Sequence, residues 1–149
     1  MARQVDVGSK PELRRRAVAV GELAVAPSTR SAIRRRAVAK GDPIGTAELA
    51  GLLAMKRTSE LIPHCHVVRL TASRVDVTLT ARGVRATAEA ETVDRTGVEM
   101  EALVGATVAL LTVWDMVKYL EKNPRGLYPH TRLGPVRVLT KQKGEQVRR

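Results

Sequence analysis

Leu70–Glu91 reads LTASRVDVTLTARGVRATAEAE. In its first half Val75, Val77 and Leu79 alternate with polar residues. In its second half Val84, Ala86, Ala88 and Ala90 alternate with Arg85, Thr87, Glu89 and Glu91. A period of two predicts strands with one face in a core and one face out. The short Ala81-Arg82-Gly83 link joins them as an antiparallel hairpin.

Helical patterns flank this hairpin. Upstream, Asp42-Pro43 is a helix start, with Asp as N-cap and Pro in the first turn. The helix is expected to run through GTAELAGLLAMKRTSELI to Pro63, with Leu49, Leu52, Leu53, Leu61 and Ile62 on its apolar face. Downstream, Val98–Lys122 is the longest helix candidate. Leu103, Ala106, Leu110, Val113, Trp114, Val117 and Leu120 form its stripe, and Asn123-Pro124-Arg125-Gly126 ends it. Nearer the start, Val18, Val20, Leu23 and Val25 read as a strand bent at Gly21-Glu22. A short helix then starts at Ala26-Pro27-Ser28-Thr29, with Ile33 as its apolar anchor. Val136–Leu139 reads as a last short strand, and Pro129–Pro135 as loop. The order is strand, two helices, two strands, long helix, strand. It predicts an α+β fold: a mainly antiparallel sheet with helices on one face. One domain over 1–149 is expected, with a flexible arm over about 1–12 and a charged, mobile tail over about 141–149.

Arg14–Gly21 (RRRAVAVG) nearly repeats as Arg34–Gly41 (RRRAVAKG). A solenoid needs at least three copies, so biased Arg/Ala/Val usage is the simpler reading.

Composition narrows the function. The chain has 149 residues, is 44% hydrophobic and carries no Phe, one Trp and two Tyr. That suffices for one aliphatic core. No sequence run reaches the ~18 apolar residues of a membrane span, and MARQVDVGSK lacks a signal-peptide centre. One cysteine excludes an internal disulfide framework. A cytoplasmic protein is expected. Scarcity of thermolabile residues suggests a thermophilic source. The net charge of +11 suits either a nucleic-acid binder or an enzyme for a polyphosphorylated small molecule. Few aromatics argue against base-stacking modules. Three arginine clusters (Arg14–Arg16, Arg34–Arg36, Arg148-Arg149) keep backbone-only nucleic-acid binding as the rival.

Several charged residues stand where packing would not use them. Asp115 and Lys118 are three apart and share a helix face. A solvated ion pair is the ordinary reading. Flanking Trp114, Met116 and Val117 favour a desolvated lysine beside a carboxylate, a proton-transfer group. Glu99 and Glu101 lie on the same predicted helix. Glu101 and Asp115 would be about 21 Å apart along its axis, too far for one reacting centre. Either the Glu99–Glu101 segment is not helical throughout, or two subunits share the site. Lys40 precedes a helix N-terminus, which favours anions. Lys56-Arg57 could be a C-terminal cation cluster or a phosphate contact. Pro63-His64-Cys65-His66 lacks the partner spacing of a zinc site, so no metal is expected. On a strand His64 and His66 would share a face and Cys65 would not. The chain has no Walker or GxGxxG loop, which argues against an ordinary nucleotide hydrolase.

These segments together, AMKRTSELIPHC (Ala54–Cys65), RTGVEMEAL (Arg95–Leu103), Lys40-Gly41-Asp42, Val5-Asp6-Val7 with Lys10, and Asp115-Met116 with Lys118, resemble the cyclic pyranopterin monophosphate synthase family of molybdenum cofactor biosynthesis, the MoaC type. The likeness spans most of the chain in the family's order. It implies a ferredoxin-like fold. It also implies a lyase that converts cyclised dihydro-GTP (3′,8-cyclo-7,8-dihydro-GTP), made by an upstream radical enzyme, to cyclic pyranopterin monophosphate, with release of pyrophosphate. No cofactor is implied. By motif, Asp115, Lys118 and Lys40 are the catalytic set. The resemblance also implies that Cys65, His66, Met100 and Glu101 contact substrate, with Glu99 nearby and Lys141 matching a lysine after the last strand; His64, Lys56 and Arg57 are expected to join them in substrate binding. The resemblance implies a homohexamer, a trimer of dimers with active sites at subunit interfaces. The chain departs from the family at His64, at Val67-Val68, in a longer Asn123–Leu133 segment, and in a tail without the Ser-Gly-Gly-Lys-Ser-Gly ending.

Overall fold

A computed structural model describes residues 1–146. The hairpin forms as expected: β2 (Ala72–Leu79) pairs antiparallel with β3 (Gly83–Asp94). Val75, Val77, Val84, Ala86, Ala88 and Ala90 are buried, as the alternation requires. β1 (Leu13–Ala24) pairs with β3 from Leu13 opposite Asp94 to Ala24 opposite Gly83. No bend occurs at Gly21-Glu22; the strand runs straight through. Gly21 is needed for space, since a Cβ there would lie 2.9 Å from Leu110 Cδ1. The other side of β1 takes the two-residue β4 (Arg132–Leu133) and then β5 (Arg137–Gln146).

β5 is longer than the expected Val136–Leu139. Lys141 sits opposite Ala17 and Lys143 opposite Arg15, so the front of the expected mobile tail is paired strand; 147–149 lie outside the described residues. Main-chain pairing with β1 overrides the polar composition of that stretch. The sheet order β2-β3-β1 with β4 and β5 outermost, and helices on one face, is the ferredoxin-like α+β arrangement.

That face carries α1 (Pro27–Arg34), α2 (Pro43–Met55), the single turn α3 (Thr58–Leu61) and α4 (Glu99–Glu121). α4 is the central helix. Its Ala102, Ala106, Ala109, Leu110, Val113 and Val117 are buried over the alanines of β1 and β3. Contrary to the expectation that no run is long enough to span a membrane, α4 is long and apolar enough by length and composition, yet here it is the core helix. The expected single helix from Asp42 to Pro63 is interrupted at Lys56-Arg57. The Thr58 hydroxyl donates to the Met55 carbonyl at 3.0 Å, and α3 starts anew. Asp42 does cap α2, accepting from the Ile44 N–H at 3.0 Å.

The face of α2 turned inward is not the leucine face. Ala47, Gly51, Ala54 and Met55 are buried, while Leu49 and Leu53 stay 59% and 50% exposed. The reason is proximity to α4: a Cβ on Gly51 would fall 2.9 Å from the Gly105 carbonyl oxygen. Only small residues permit that approach. The near-repeated octapeptide adopts two structures. Arg14–Gly21 is strand, whereas Arg34–Gly41 ends α1 and turns, with Arg36 at φ 55° and Gly41 at φ 100°.

Candidate active site

Two groups of chemically capable side chains lie at opposite ends of α4. The first is a cleft of about 530 Å³ at its N-terminus, lined by His64, Cys65, His66, Glu99, Met100, Glu101 and Lys141. Lys10, Arg15, Arg95 and Lys143 complete its wall. His64-Cys65-His66 is not a strand but an irregular connection after a turn, and that is why all three reach one cleft. The N-terminal segment is tied to it. Gln4 Nε2 donates to the Cys65 carbonyl at 2.8 Å. His66 Nε2 donates to the Val5 carbonyl at 2.7 Å, since a carbonyl can only accept. In neutral His66 that fixes Nδ1 as the free acceptor.

The carboxylates of the cleft sit in the first turn of α4, where free backbone N–H groups and the dipole favour negative charge. Glu99 forms an ion pair with Lys141. Burial pushes its carboxyl up, but the Lys141 hydrogen bond, its own backbone N–H and the charges of Lys141 and Arg15 hold it below the usual range. Glu101 is buried. Burial, and then the nearby negative Glu99 and Asp94, push it above the usual range. The two glutamates therefore differ: Glu99 is a fixed anion, and Glu101 retains a proton to higher pH. Pairs of carboxyls split in this way serve acid–base roles. Burial and the same two glutamates push the Cys65 thiol up, which opposes thiolate formation.

The second group is centred on Asp115, 14 residues further along the same helix. Lys118 Nζ lies 2.6 Å from Asp115 Oδ1, and Lys40 Nζ 2.9 Å from Oδ2. Lys40 also donates to the Asp115 carbonyl at 3.0 Å. Hydrogen bonds from Lys118 and then Lys40 lower the Asp115 carboxyl from 3.8 to about 2. The hydrogen bond and charge of Asp115 raise Lys118, with a smaller contribution from Tyr128. In the single chain Lys118 is thus a half-exposed ammonium on a carboxylate, where a lysine desolvated beside a carboxylate was expected. Lys40 does not serve the α2 N-terminus; its side chain crosses to α4.

α4 is continuous from Glu99 to Glu121. The option of a non-helical Glu99–Glu101 segment is therefore closed, and Glu101 and Asp115 stand about 21 Å apart along the axis. Lys56 and Arg57 join neither group. Lys56 lines a neighbouring hollow with Val68, Leu70 and Thr71, and Arg57 is the exposed N-cap of α3. Among the described residues no group of three or more His, Cys, Asp or Glu side chains could hold a metal ion.

Sequence reading missed Arg15 and Lys143 as cleft residues. Their signal was strand alternation: Arg15 shares the parity of Leu13 and Ala17, so it turns to the helix side, and Lys143 is its partner across the ladder. The arginine triplet is accordingly split. Arg14 is exposed, Arg15 enters the cleft, and Arg16 pairs with Glu89.

Known proteins resemble this chain at close to full length. The profile described as "MoaC family" matches residues 4–144. A probable cyclic pyranopterin monophosphate synthase of Methanosarcina acetivorans is 48% identical over 143 residues, covering 96% of this chain and 90% of its own. Proteins of the same name from Archaeoglobus fulgidus and Pyrococcus abyssi are 47% and 45% identical, covering 95% of this chain and 91% and 89% of their own. With its fold, its cleft and its ordered motifs, the chain belongs to the MoaC family.

Proposed function

We propose that this chain is a cyclic pyranopterin monophosphate synthase of molybdenum cofactor biosynthesis, the activity in which its relatives are named. The substrate is cyclised dihydro-GTP. The purine-derived ring is rearranged to a pterin, the phosphate closes into a cyclic diester, and pyrophosphate leaves. The observation that carries the reading is the Lys40–Asp115–Lys118 arrangement, in which ammonium groups from two separate segments meet on one carboxylate.

The chemistry needs two kinds of groups. Ring rearrangement moves protons, and Glu101, whose carboxyl burial pushes above the usual range, and His66, with one nitrogen anchored on Val5, are the groups of the cleft suited to carry them. Closing the cyclic phosphate and expelling pyrophosphate develop negative charge, which the net-positive Lys40–Asp115–Lys118 set can stabilise. Asp115, ionised well below neutrality, holds both ammoniums in place. Glu99, Met100, His64, Cys65 and Lys141 line the substrate's surroundings.

One copy cannot bring both groups to one substrate, because helix α4 separates them. A homo-oligomer resolves this by facing the Asp115 group of one subunit toward the cleft of another. We take it to be a hexamer built as a trimer of dimers, acting in the cytoplasm without a cofactor.

The test is turnover of cyclised dihydro-GTP, followed as pyrophosphate released and as the oxidised fluorescent pterin. Both products should appear, and Asp115→Ala and Lys118→Ala should each lower the rate by about 10²–10⁴-fold. Near-normal turnover in both variants would sink the assignment. Steeply salt-dependent nucleic-acid binding without either product would favour the rival reading.

A further inference from the structure

Lys40 belongs to a segment that must be held in place before its ammonium can reach Asp115. That segment, residues 35–41, links α1 to α2 with little regular structure. It turns through Arg36 at φ 55° and Gly41 at φ 100°. Buried Val38 anchors its middle. One side-chain hydrogen bond joins it to α4 next to the lysine: the Ala39 N–H donates to the Tyr119 hydroxyl at 2.7 Å.

Tyr119 lies four residues after Asp115 and one after Lys118. Residues at i, i+3 and i+4 share a helix face, so Asp115, Lys118 and Tyr119 form one patch. The first two belong to the charged set. The third holds the backbone from which the remaining ammonium projects. A lysine stem has many rotamers. Fixing the backbone one residue before it limits where Nζ can go, and a tyrosine ring does so with only two side-chain torsions.

We infer that Tyr119 is a positioning residue that pins the Ala39-Lys40 backbone to α4 and so sets Lys40 on Asp115. This rests on the synthase reading above, in which Lys40 and Asp115 act in the reaction. The tyrosine hydroxyl does not itself touch the reacting atoms in this role. The ring could fill space without the hydroxyl, so Tyr119→Phe isolates the hydrogen bond.

The experiment is a double-mutant cycle of Tyr119→Phe and Lys40→Ala, assayed by steady-state turnover of cyclised dihydro-GTP, with enzyme concentration raised so that slow variants are measured. Tyr119→Phe should reduce kcat about tenfold, the size expected from losing one hydrogen bond, with KM within about twofold. In the Lys40→Ala background it should add no further loss. Amide exchange at Ala39 should quicken in Tyr119→Phe while the melting temperature stays near that of the parent. An unchanged kcat, a loss confined to KM, or a full loss added on top of Lys40→Ala would each overturn the inference. If Lys40→Ala itself retains full turnover, the failure belongs to the synthase reading of Lys40 instead.

Discussion

Glu101 is the residue at which the proposed site most directly costs the fold stability. Its carboxyl is buried near two other acids. A folded value above the usual one means that the folded state prefers the protonated form. Below the unfolded value of 4.5 the group is neutral in both states and imposes no penalty. As pH rises through the folded value, the penalty grows and then levels off. Glu101→Gln should therefore raise the melting temperature at pH 7.5 and leave it nearly unchanged at pH 4, while abolishing turnover. Differential scanning calorimetry at the two pH values checks this; a loss of stability at pH 7.5 would mean that the charged carboxylate is satisfied. Asp115 has the opposite sign. Its ion pairs stabilise the fold above the ordinary carboxylate range, and that contribution is lost as pH falls from 3.8 to about 2. At this scale the sequence was informative. Glu99, Glu101, Asp115 and Lys118 stood out because packing does not explain charges on a core helix. Their protonation was not legible, because it depends on partners distant in sequence: Lys141 for Glu99, and Lys40 for Asp115. In the single chain Lys118 is half exposed on Asp115, not desolvated by Trp114 and Val117. Helical neighbours in sequence point elsewhere, and Asp115 and solvent set the lysine.

At the level of elements, periodicity located the hairpin and α4 because both carry long patterns with one buried face. It misjudged α2. Leu49 and Leu53 look like part of a core face, but they are exposed and the helix packs through Ala47, Gly51 and Ala54, with Leu52 partly buried beside them. Close approach of two helices selects small residues, and a hydrophobicity pattern does not report it. Gly51→Ala should therefore destabilise the protein by about 1–3 kcal/mol, despite the higher helix propensity of alanine. Urea denaturation reads this directly, and a stabilised variant would show that the seam has room. The strand β5 extends past the expected Val136–Leu139 although Lys141, Gln142 and Lys143 look like a solvated tail. Their pairing with β1 is a long-range match that composition does not encode. The octapeptide makes the same point, since nearly one sequence is strand at Arg14 and a helix end at Arg34.

For the whole molecule, the order of elements sufficed for a ferredoxin-like α+β fold, but under the proposed function the chemistry would extend beyond one chain. A continuous α4 keeps its two reactive ends apart by about 21 Å. The account therefore requires copies of the chain to complete each other's sites. Two variants, Glu101→Gln and Asp115→Asn, should each be inactive alone, since each removes one half of every site. Unfolded, mixed in equal amounts and refolded together, they form oligomers in which some sites draw Glu101 from one variant and Asp115 from the other. The measurement is turnover of cyclised dihydro-GTP by that mixture. The account predicts recovery to about one quarter of parent activity, the share of sites that receive both intact halves under random assembly. A mixture as inactive as its components, although assembled, would contradict the claim that two subunits build each site.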